Sequence, residues 1–225
     1  MSASNTVWPY PQAITMSTDL KGLVTGTRVK VLGSTTYLHS VNFYDAKGRL
    51  IQTKSRNLTG GNDVVTTQYS WSGHPLINIV KQPKLSTNSQ TSVIVTKYTY
   101  DSLFRVIKVD KKVSNSHVNG GAYPTVWTTI VENSYDALGQ LKKKVLAPTS
   151  GPGGGPLDSL TYDYNIRGWL LGVNRSFAKD AHENNYFGFD LGYDKTQNGI
   201  VGNNSYASPQ YNGNISGTVW KSKGR

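Results

Sequence analysis

The segment VNFYDAKGRLIQT, residues Val41–Thr53, decides how the rest of the chain is interpreted. It predicts strand, tight turn and strand, because Val, Phe and Tyr favour strands and an apolar pair begins the return. Asp45 at the first turn position can bind backbone amides further on, and Gly48 at the fourth accepts a positive φ without steric cost. A type I turn followed by a glycine bulge is a common hairpin connection. We therefore predict a β-hairpin over Tyr37–Arg56.

The composition favours sheet structure along the whole chain. Its 225 residues include 14 Tyr and 23 Gly, against 2 Met and no Cys. Thr, Ser, Val and Asn are plentiful and helix formers such as Ala and Glu are scarce, which is typical of a sheet protein with many turns. The lack of Cys excludes a disulfide framework and a thiolate metal site, but it does not fix the compartment.

The chain is basic, with a net charge of +11 from 24 Lys+Arg and 13 Asp+Glu. Such a balance can attract nucleic acid, anionic glycans or an acidic protein. The basic residues are spread along the sequence, however, and the densest run is only Lys142–Lys144. Because Lys on sheet edges protects against edge pairing, we favour that role over a polyanion site and do not expect a nucleic-acid partner.

The sequence shows no membrane span and no export signal. No apolar stretch approaches the roughly 20 residues of a membrane helix. Residues Met1–Asn5 lack the basic and apolar regions of a signal peptide. We expect both ends to be cuts in a longer polypeptide, so that any export signal lies outside this chain or has been removed.

The turn motif recurs along the chain, which is the decisive feature. Three further copies begin at Tyr100, Tyr135 and Tyr164, the last with Asn in place of Asp. The interval between Tyr44 and Tyr100 is about two repeats long and contains a degenerate copy in Gln68–Leu76. The residues predicted to set the five repeat turns are Tyr44, Asp45, Gly48, Trp71, Gly73, Tyr100, Asp101, Tyr135, Asp136, Gly139, Tyr164, Asn165 and Gly168.

These patterns predict an all-β fold of repeated antiparallel β-hairpins. β-Branched runs lead into the turns, mixed apolar and basic runs lead out, and polar joins of variable length connect the units. We divide the chain into an extended segment with one strand, residues 1–36, and a hairpin array, residues 37–225. No segment shows sustained helical periodicity.

The pattern loosens after the fifth unit. Tyr186–Tyr193 alternates large apolar residues with Gly or Asp and predicts a strand with one aromatic face. Asn198–Ser205 is predicted to be a loop, and Tyr211–Lys221 to begin another hairpin at the Asn212-Gly213 turn signal.

The repeated residues are interpreted as structural. Hairpins stacked edge to edge stabilise one another through nearest neighbours, and the repeat tyrosines would form a ladder across them. Asn165 supports a capping role for the Asp position, since Asn caps a turn equally well but is a poor acid or base. This predicts that Gly48→Val damages the hairpin and that Asp45→Asn is nearly silent.

A search for chemistry finds no catalytic, cofactor-binding or metal-ligating residue. His39, His74, His117 and His182 are isolated, with no two at metal-ligand spacing. The glycine-rich Ser150–Pro156 lacks the Gly-Lys-Ser/Thr ending of a phosphate loop, and no Gly-x-Ser-x-Gly elbow occurs. We therefore do not expect an enzyme, a cofactor or a metal.

The repeated Tyr-Asp-x-x-Gly-x-Leu resembles the YD repeat of rearrangement-hotspot (Rhs) proteins over roughly residues 37–221. Lys21–Thr27 leading into Tyr44–Arg49, and Tyr211–Lys221, look like the large secreted Rhs-repeat proteins of the Bacteroidetes type. The resemblance implies hairpins joined into a curved strip, or into part of a spiral shell that can enclose a C-terminal toxin or effector. This chain is too short to close a shell and lacks the Asp-Pro of the family's self-cleavage segment.

Two functions follow as hypotheses. The preferred one is a structural, non-catalytic module of a large bacterial protein, secreted or at the cell surface. Its expected partners are the rest of the parent polypeptide, a neighbouring repeat sheet and an enclosed effector domain. The alternative is an adhesion module that binds a glycan or polyanion at a cell surface, with aromatic platforms beside basic residues. The candidate platforms are Trp71, Trp127, Trp169, Trp220 and Tyr186.

Overall fold

The computed structural model describes residues 14–149, 154–179, 184–197, 205–206 and 208–223. These residues form thirteen β-strands and one four-residue helix. The elements are β1 Gly26–Lys30, β2 Tyr37–Tyr44, β3 Leu50–Arg56, β4 Asn62–Tyr69, β5 Pro75–Lys84, β6 Gln90–Tyr100, β7 Val106–Asn115, β8 Thr128–Tyr135, β9 Leu141–Leu146, β10 Asp158–Tyr164, β11 Leu170–Val173, α1 Arg175–Ala178, β12 Phe187–Gly192 and β13 Gly217–Ser222.

The chain divides into two compact units, Met1–Thr128 and Thr129–Arg225. The first unit contains β1–β7, and each strand pairs antiparallel with the next one in sequence. The second unit contains α1 and β8–β13, with β8 beginning at the boundary, and its strands follow the same rule. The predicted all-β class of antiparallel hairpins is confirmed, and the opening hairpin begins and ends at the predicted Tyr37 and Arg56.

A one-residue register shift marks the end of each strand that enters a repeat turn. The shifts lie just before the repeat tyrosines: Tyr44, Tyr69, Tyr100, Tyr135 and Tyr164. Such bulges add one residue to one strand and increase the local twist. A bulge therefore lies at each of the five repeat turns, and a glycine holds the positive-φ position in four of them: Gly48, Gly73, Gly139 and Gly168.

One face of the first unit's sheet forms its core. Directly paired residues lie on the same face, and one such row crosses β2–β7. Its members are Phe43, Gln52, Thr66, Ile79, Val95 and Lys112. The first five are at most 6% exposed. Tyr123 and Trp127, in the connection after β7, pack against the Ile77, Ile79, Val93 and Val95 cluster of this face.

The opposite face of the same sheet is more open. The neighbouring row of paired residues, shifted by one residue along each strand, lies on this face. Its members across β3–β7 are Thr53, Val65, Val80, Ile94 and Val113. Val65 is 38% and Val113 is 48% exposed. The alternation of buried and open faces is the period-two pattern of an antiparallel sheet packed on one side.

Three features differ from the sequence predictions or extend them. β1 pairs along its whole length with β2, so the sheet of the first unit begins before residue 37. The helix α1 was not predicted, because four residues are too few to show helical periodicity. The hairpin predicted to begin at Tyr211 is wrong: β13 pairs back with β12, and Asn212-Gly213 lies in the connection between them.

Some predictions fall on residues that are not described. The loop Asn198–Ser205 lies outside the described residues except for Ser205, which forms an isolated bridge with Gln197. His182 also lies outside them. Among the described residues, no helix is long and apolar enough to cross a membrane.

Candidate functional site

The first repeat turn is built around the side chain of Asp45. Its Oδ1 accepts hydrogen bonds from the backbone N–H groups of Lys47 and Arg49, both at 2.9 Å. Its carbonyl accepts from the N–H of Gly48 and its own N–H donates to the carbonyl of Arg49, both at 3.0 Å. Gly48 has a φ of +73°, and no atom lies within 4 Å of the Cβ that another residue would carry. Gly48 is therefore required by its backbone conformation and not by crowding.

The same bonds recur at the other Asp and Asn positions. The side-chain oxygens of Asp101, Asp136 and Asn165 accept from the amides two and four residues further on, at 2.8 to 2.9 Å. Gly139 and Gly168 occupy the positive-φ position in two of these turns. In the third turn Phe104 takes that conformation, with a φ of +60°. The polar atoms of these residues are therefore used in holding the turn.

The degenerate second copy uses Ser70 in place of Asp. Its Oγ accepts from the N–H of His74, four residues on, at 3.0 Å. Gly73 has the positive φ of the fourth position. Trp71 lies at the tip of this turn and is 86% exposed. Sequence reasoning selected Trp71 and Gly73 here and missed Ser70, whose hydroxyl is the signal for a weaker version of the same cap.

Two of the turns carry an ion pair that the repeat comparison missed. Arg49 Nη2 lies 2.6 Å from Asp45 Oδ2, and Arg105 Nε lies 2.7 Å from Asp101 Oδ2. Arg49 also donates to the carbonyl of Ser70 at 2.8 Å, which connects the first turn to the second. An Asn at position 45 would keep the bonds to the two amides but lose this pair, so Asp and Asn are not equivalent there.

The arginines change the acidity of both carboxyl groups. Burial alone would raise the pKa of Asp45, but the Arg49 side chain and the N–H groups of Arg49 and Lys47 outweigh it and hold the pKa below its ordinary 3.8. At Asp101 the N–H of Arg105 has the largest effect, and it lowers the pKa against the opposing effect of burial. Both groups are therefore stabilised as carboxylates, which suits a cap and not a general acid.

A sixth turn of this kind lies at the opposite end of β3, in Asn57–Gly61. Asn57 Oδ1 accepts from the amides of Thr59 and Gly61 at 3.1 and 2.9 Å, and Gly60 has a φ of +85°. The sequence was interpreted as a variable join because no aromatic residue precedes Asn57. The spacing of Asn57 and Gly60 equals that of Asn165 and Gly168, and this was the signal that could have identified the turn.

The repeat tyrosines connect neighbouring hairpins through their hydroxyl groups. Four of them donate to the carbonyl of the first residue of the return strand in the preceding hairpin. The pairs are Tyr69 with Leu50 at 3.1 Å, Tyr100 with Pro75 at 2.7 Å, Tyr164 with Leu141 at 3.1 Å and Tyr193 with Leu170 at 2.9 Å. Tyr44 donates to Val24, ahead of β1, at 2.8 Å. Tyr135, the remaining predicted member, ends β8 at the fourth turn.

Tyr193 is a repeat tyrosine that the sequence reasoning missed. It follows β12 and is itself followed by Asp194, so the Tyr-Asp pair was present in the sequence. The aromatic alternation of Tyr186–Tyr193 was interpreted as a single strand face instead. The same hydroxyl bond places Tyr193 in the series, which therefore continues beyond the fifth predicted turn.

The second unit is centred on a buried carboxylate. Asp190 is 1% exposed and lies in hydrogen-bonding contact with Arg175 Nε. Lys179 Nζ lies 3.1 Å from Asp190 Oδ2, and the hydroxyl of Tyr206 donates to the same oxygen at 3.0 Å. Burial, the hydrogen bond to Asp190 and its charge raise the pKa of Tyr206 far above its ordinary 10, against the opposing effect of Arg175. A carboxylate so fully paired is suited to holding α1 against the sheet.

Two glycines leave the space that the Tyr206 ring occupies. A Cβ at Gly192 or at Gly217 would overlap the Tyr206 ring, so the ring lies against the backbone of β12 and β13. Asn174, 2% exposed, precedes α1 in the left-handed conformation with a φ of 45° and donates to the carbonyl of Phe187 at 2.9 Å. None of these contacts is signalled by a local motif.

A groove of about 310 Å³ lies beside the fifth repeat turn. Trp169 and Tyr193 form its aromatic part, with ring centroids 5.3 Å apart and an angle of 40° between the planes. The guanidinium of Arg167 lies 5.1 Å from the centre of the Trp169 ring and donates to the carbonyl of Tyr211 at 3.1 Å. Asp194 and Lys195 also line the groove. We call this set of residues the aromatic groove.

The other proposed platforms are not among the residues that line this groove. Trp71 is at the tip of the second turn with Lys47 Nζ 4.3 Å from its ring centre, and Trp127 packs against the core of the first unit. Trp220, 67% exposed, lies on β13, and Tyr186 precedes β12. Of the five predicted platforms, Trp169 is the one that lines the aromatic groove.

The histidines show contacts of other kinds. His74 stacks on Phe104 with centroids 4.5 Å apart, and His117 Nε2 lies 2.7 Å from the carbonyl of Ser89. Within the part of the chain that the structure describes, no group of three or more His, Cys, Asp or Glu side chains is placed to hold a metal ion.

Comparison with known proteins adds no family. No family model matches the chain, and no curated protein matches it. The site must therefore be interpreted from its own geometry.

Proposed function

We propose that the chain is a structural, non-catalytic hairpin-repeat module of a large exported protein of the Rhs type. In that protein the module would form part of a scaffold, or of a wall around a toxin or effector domain. The proposal rests on one observation: the polar atoms of the repeat residues form hydrogen bonds within the protein. Turn oxygens of Asp, Asn and Ser bind amides of their own turn, and tyrosine hydroxyls bind the preceding hairpin.

A repeat of this kind supports extension by nearest-neighbour contacts. Four hairpins present the first carbonyl of their return strand to a tyrosine that follows, as Leu50 does for Tyr69 and Leu141 does for Tyr164. The same contact can join any number of further hairpins, because each hairpin contacts only its neighbours, as in other repeat arrays. This favours a long sheet as the setting of the module.

The turn chemistry also argues against a catalytic role for the repeat residues. A general acid or base needs a group that is free to exchange a proton near the working pH. The pKa values of Asp45 and Asp101 are lowered, away from that range, and both side chains are occupied by an arginine and two amides. These residues set geometry, and the proposed function needs nothing more of them.

The test is the location and context of the protein in the bacterium that produces it. An antibody against the chain should detect it in the culture medium or at the surface of intact cells, where added protease removes the signal. Sequencing the locus should reveal further YD repeats in the same reading frame. A protein that stays in the cytosol, protected from protease in intact cells, or a reading frame without further repeats would refute the proposal.

A further inference from the structure

We propose that the aromatic groove binds a saccharide through Trp169, Tyr211 and Asp194. A scaffold or wall needs no ligand, so this inference goes beyond the proposed function and does not depend on it. The ligand would be a pyranose ring of a neutral polysaccharide, recognised by stacking and by hydrogen bonds to its hydroxyl groups.

The aromatic residues of the groove are suited to stacking against a sugar ring. Sugar rings carry C–H groups on one face, and an aromatic side chain offers a large apolar surface at low entropic cost. Tyr211 is 71% exposed, yet its backbone carbonyl is fixed by Arg167 at 3.1 Å. Trp169 is held between Tyr193, the Arg167 guanidinium and the backbone of Gly213. The groove thus contains the exposed side chain of Tyr211, on a backbone that is already anchored, and the Trp169 ring, which is already held in place.

The charged groups that line the groove differ from the other carboxylates described above. The carboxylates of Asp45, Asp101 and Asp190 are all paired within the protein. In contrast, within the described ranges neither Asp194 nor Lys195 forms a hydrogen bond or an ion pair through its side chain, although both line the groove. A sugar hydroxyl donates and accepts at once, so a carboxylate and an ammonium that line the same groove together suit it.

The charge and the volume of the groove both bear on the kind of ligand that fits it. A polyanion is favoured by cations alone, and Asp194 opposes it in a groove that also holds Arg167 and Lys195. The volume of about 310 Å³ lies at the lower end of the range for small-molecule sites. These features favour a neutral saccharide over a nucleic acid or a sulfated chain.

The experiment is saturation-transfer NMR on the intact 225-residue chain. The probes are maltotetraose, cellotetraose, chitotetraose and mannotetraose, with tetragalacturonate as the anionic comparison, each at about 10 mM to detect millimolar affinity. We expect transfer to at least one neutral probe. Tyr211→Ala and Asp194→Asn should each raise its Kd by about tenfold, the effect of losing one stacking or charged contact. Both residues are exposed, so neither change should unfold the second unit.

The matched control is Trp71→Ala, which removes an exposed aromatic residue from a different repeat turn and should leave the Kd unchanged. Three outcomes would overturn the inference. These are no transfer to any neutral probe, transfer that survives both groove variants, and transfer to tetragalacturonate alone that salt abolishes. Circular dichroism on each variant measures its strand content independently of saccharide binding. The absence of binding would therefore leave the proposed structural function intact.

Discussion

In the first unit a row of buried side chains crosses neighbouring strands in register, whereas in the second unit the buried carboxylate of Asp190 is paired with two cationic side chains and a tyrosine hydroxyl. Both units use the same turn, so the difference lies in what fills the interior. The row through Ile79 and Val95 arises because a regular repeat brings the same face of every strand inward. Where the repeat loosens, beyond Val173, the chain relies on charged and polar contacts between distant residues.

The largest effect should follow from removing the centre of the second unit. Asp190→Ala leaves Arg175 and Lys179 without their buried partner, and breaking a buried pair in this way costs about 3–5 kcal/mol. Hydrogen exchange resolved by residue should show β10–β13 losing protection while β3–β6 keep theirs. Asp163→Ala is the matched control, because Asp163 is 53% exposed and lies 3.8 Å from the same arginine. Equal losses of protection in the two variants would contradict the central role of Asp190 in the second unit.

The core of the first unit should respond to a cavity. Ile79→Ala removes buried methyl groups from a residue that is 1% exposed, at a cost of about 3 kcal/mol. Urea unfolding measures the change in free energy. Val113→Ala, on the open face, should cost less than about 1 kcal/mol. If both variants lost the same stability, the two faces of the sheet would not differ as described.

The repeat turn should be sensitive at its glycine. Gly48→Val places a β-branched residue at a φ of +73°, which costs about 1–2 kcal/mol through backbone strain alone. Gly155→Val is the control, since the space around Gly155 is equally open and its φ is not in the left-handed region. Thermal unfolding followed by circular dichroism compares the two. A harmless Gly48→Val would mean that the turn has another conformation in solution.

The contact between hairpins should be measurable at a single hydroxyl. Tyr100→Phe removes the bond to the carbonyl of Pro75 and should cost about 1 kcal/mol, the usual net value of one hydrogen bond. Tyr37→Phe provides the comparison, because Tyr37 is 37% exposed and its hydroxyl forms no hydrogen bond with the described residues. Urea unfolding of both variants gives the difference, and no loss from Tyr100→Phe would count against the connection.

The smallest effect concerns the charge of the first turn. Asp45→Asn keeps the two amide bonds and loses the pair with Arg49, at a cost of at most about 1 kcal/mol because the pair is partly solvated. The pKa of Asp45 is lowered by folding, so this stability is present above pH 3.8 and is lost as the pH falls through the folded pKa.

Unfolding at several pH values should therefore show the Asp45→Asn variant converging with the original protein in acid. Asp136→Asn should show a smaller difference at neutral pH, because Gln140 and not arginine stands four residues on. A difference for Asp45→Asn that grows in acid would have the wrong sign for a carboxylate cap.

The turns and the strands around them could be predicted because their chemistry is local. Asp136, Gly139 and the amides that Asp136 binds all lie within five residues, so the local sequence is enough to predict the turn. Register then follows from the turn, and with it the buried face of the first unit. The turn at Asn57 was missed only because the search required an aromatic residue before it.

The second unit could not be predicted to the same extent, for a physical reason. Asp190 meets Arg175 and Tyr206 across intervals of 15 and 16 residues, and no spacing rule connects them. The role of Gly192 and Gly217 is likewise visible only from the ring that lies against them. The aromatic groove was foreseen at Trp169 alone, since Tyr193 and Tyr211 join it through the pairing of β11–β13.

The most direct test of the account is whether each repeat tyrosine contacts the preceding hairpin. Isotope-edited NOE spectra of the chain can measure contacts between the ring protons of Tyr69, Tyr100 and Tyr164 and the backbone protons beside their acceptor carbonyls. We predict contacts to Leu50, Pro75 and Leu141, respectively. Rings that contact only their own hairpin would contradict the claim that the repeat residues exist to join one hairpin to the next.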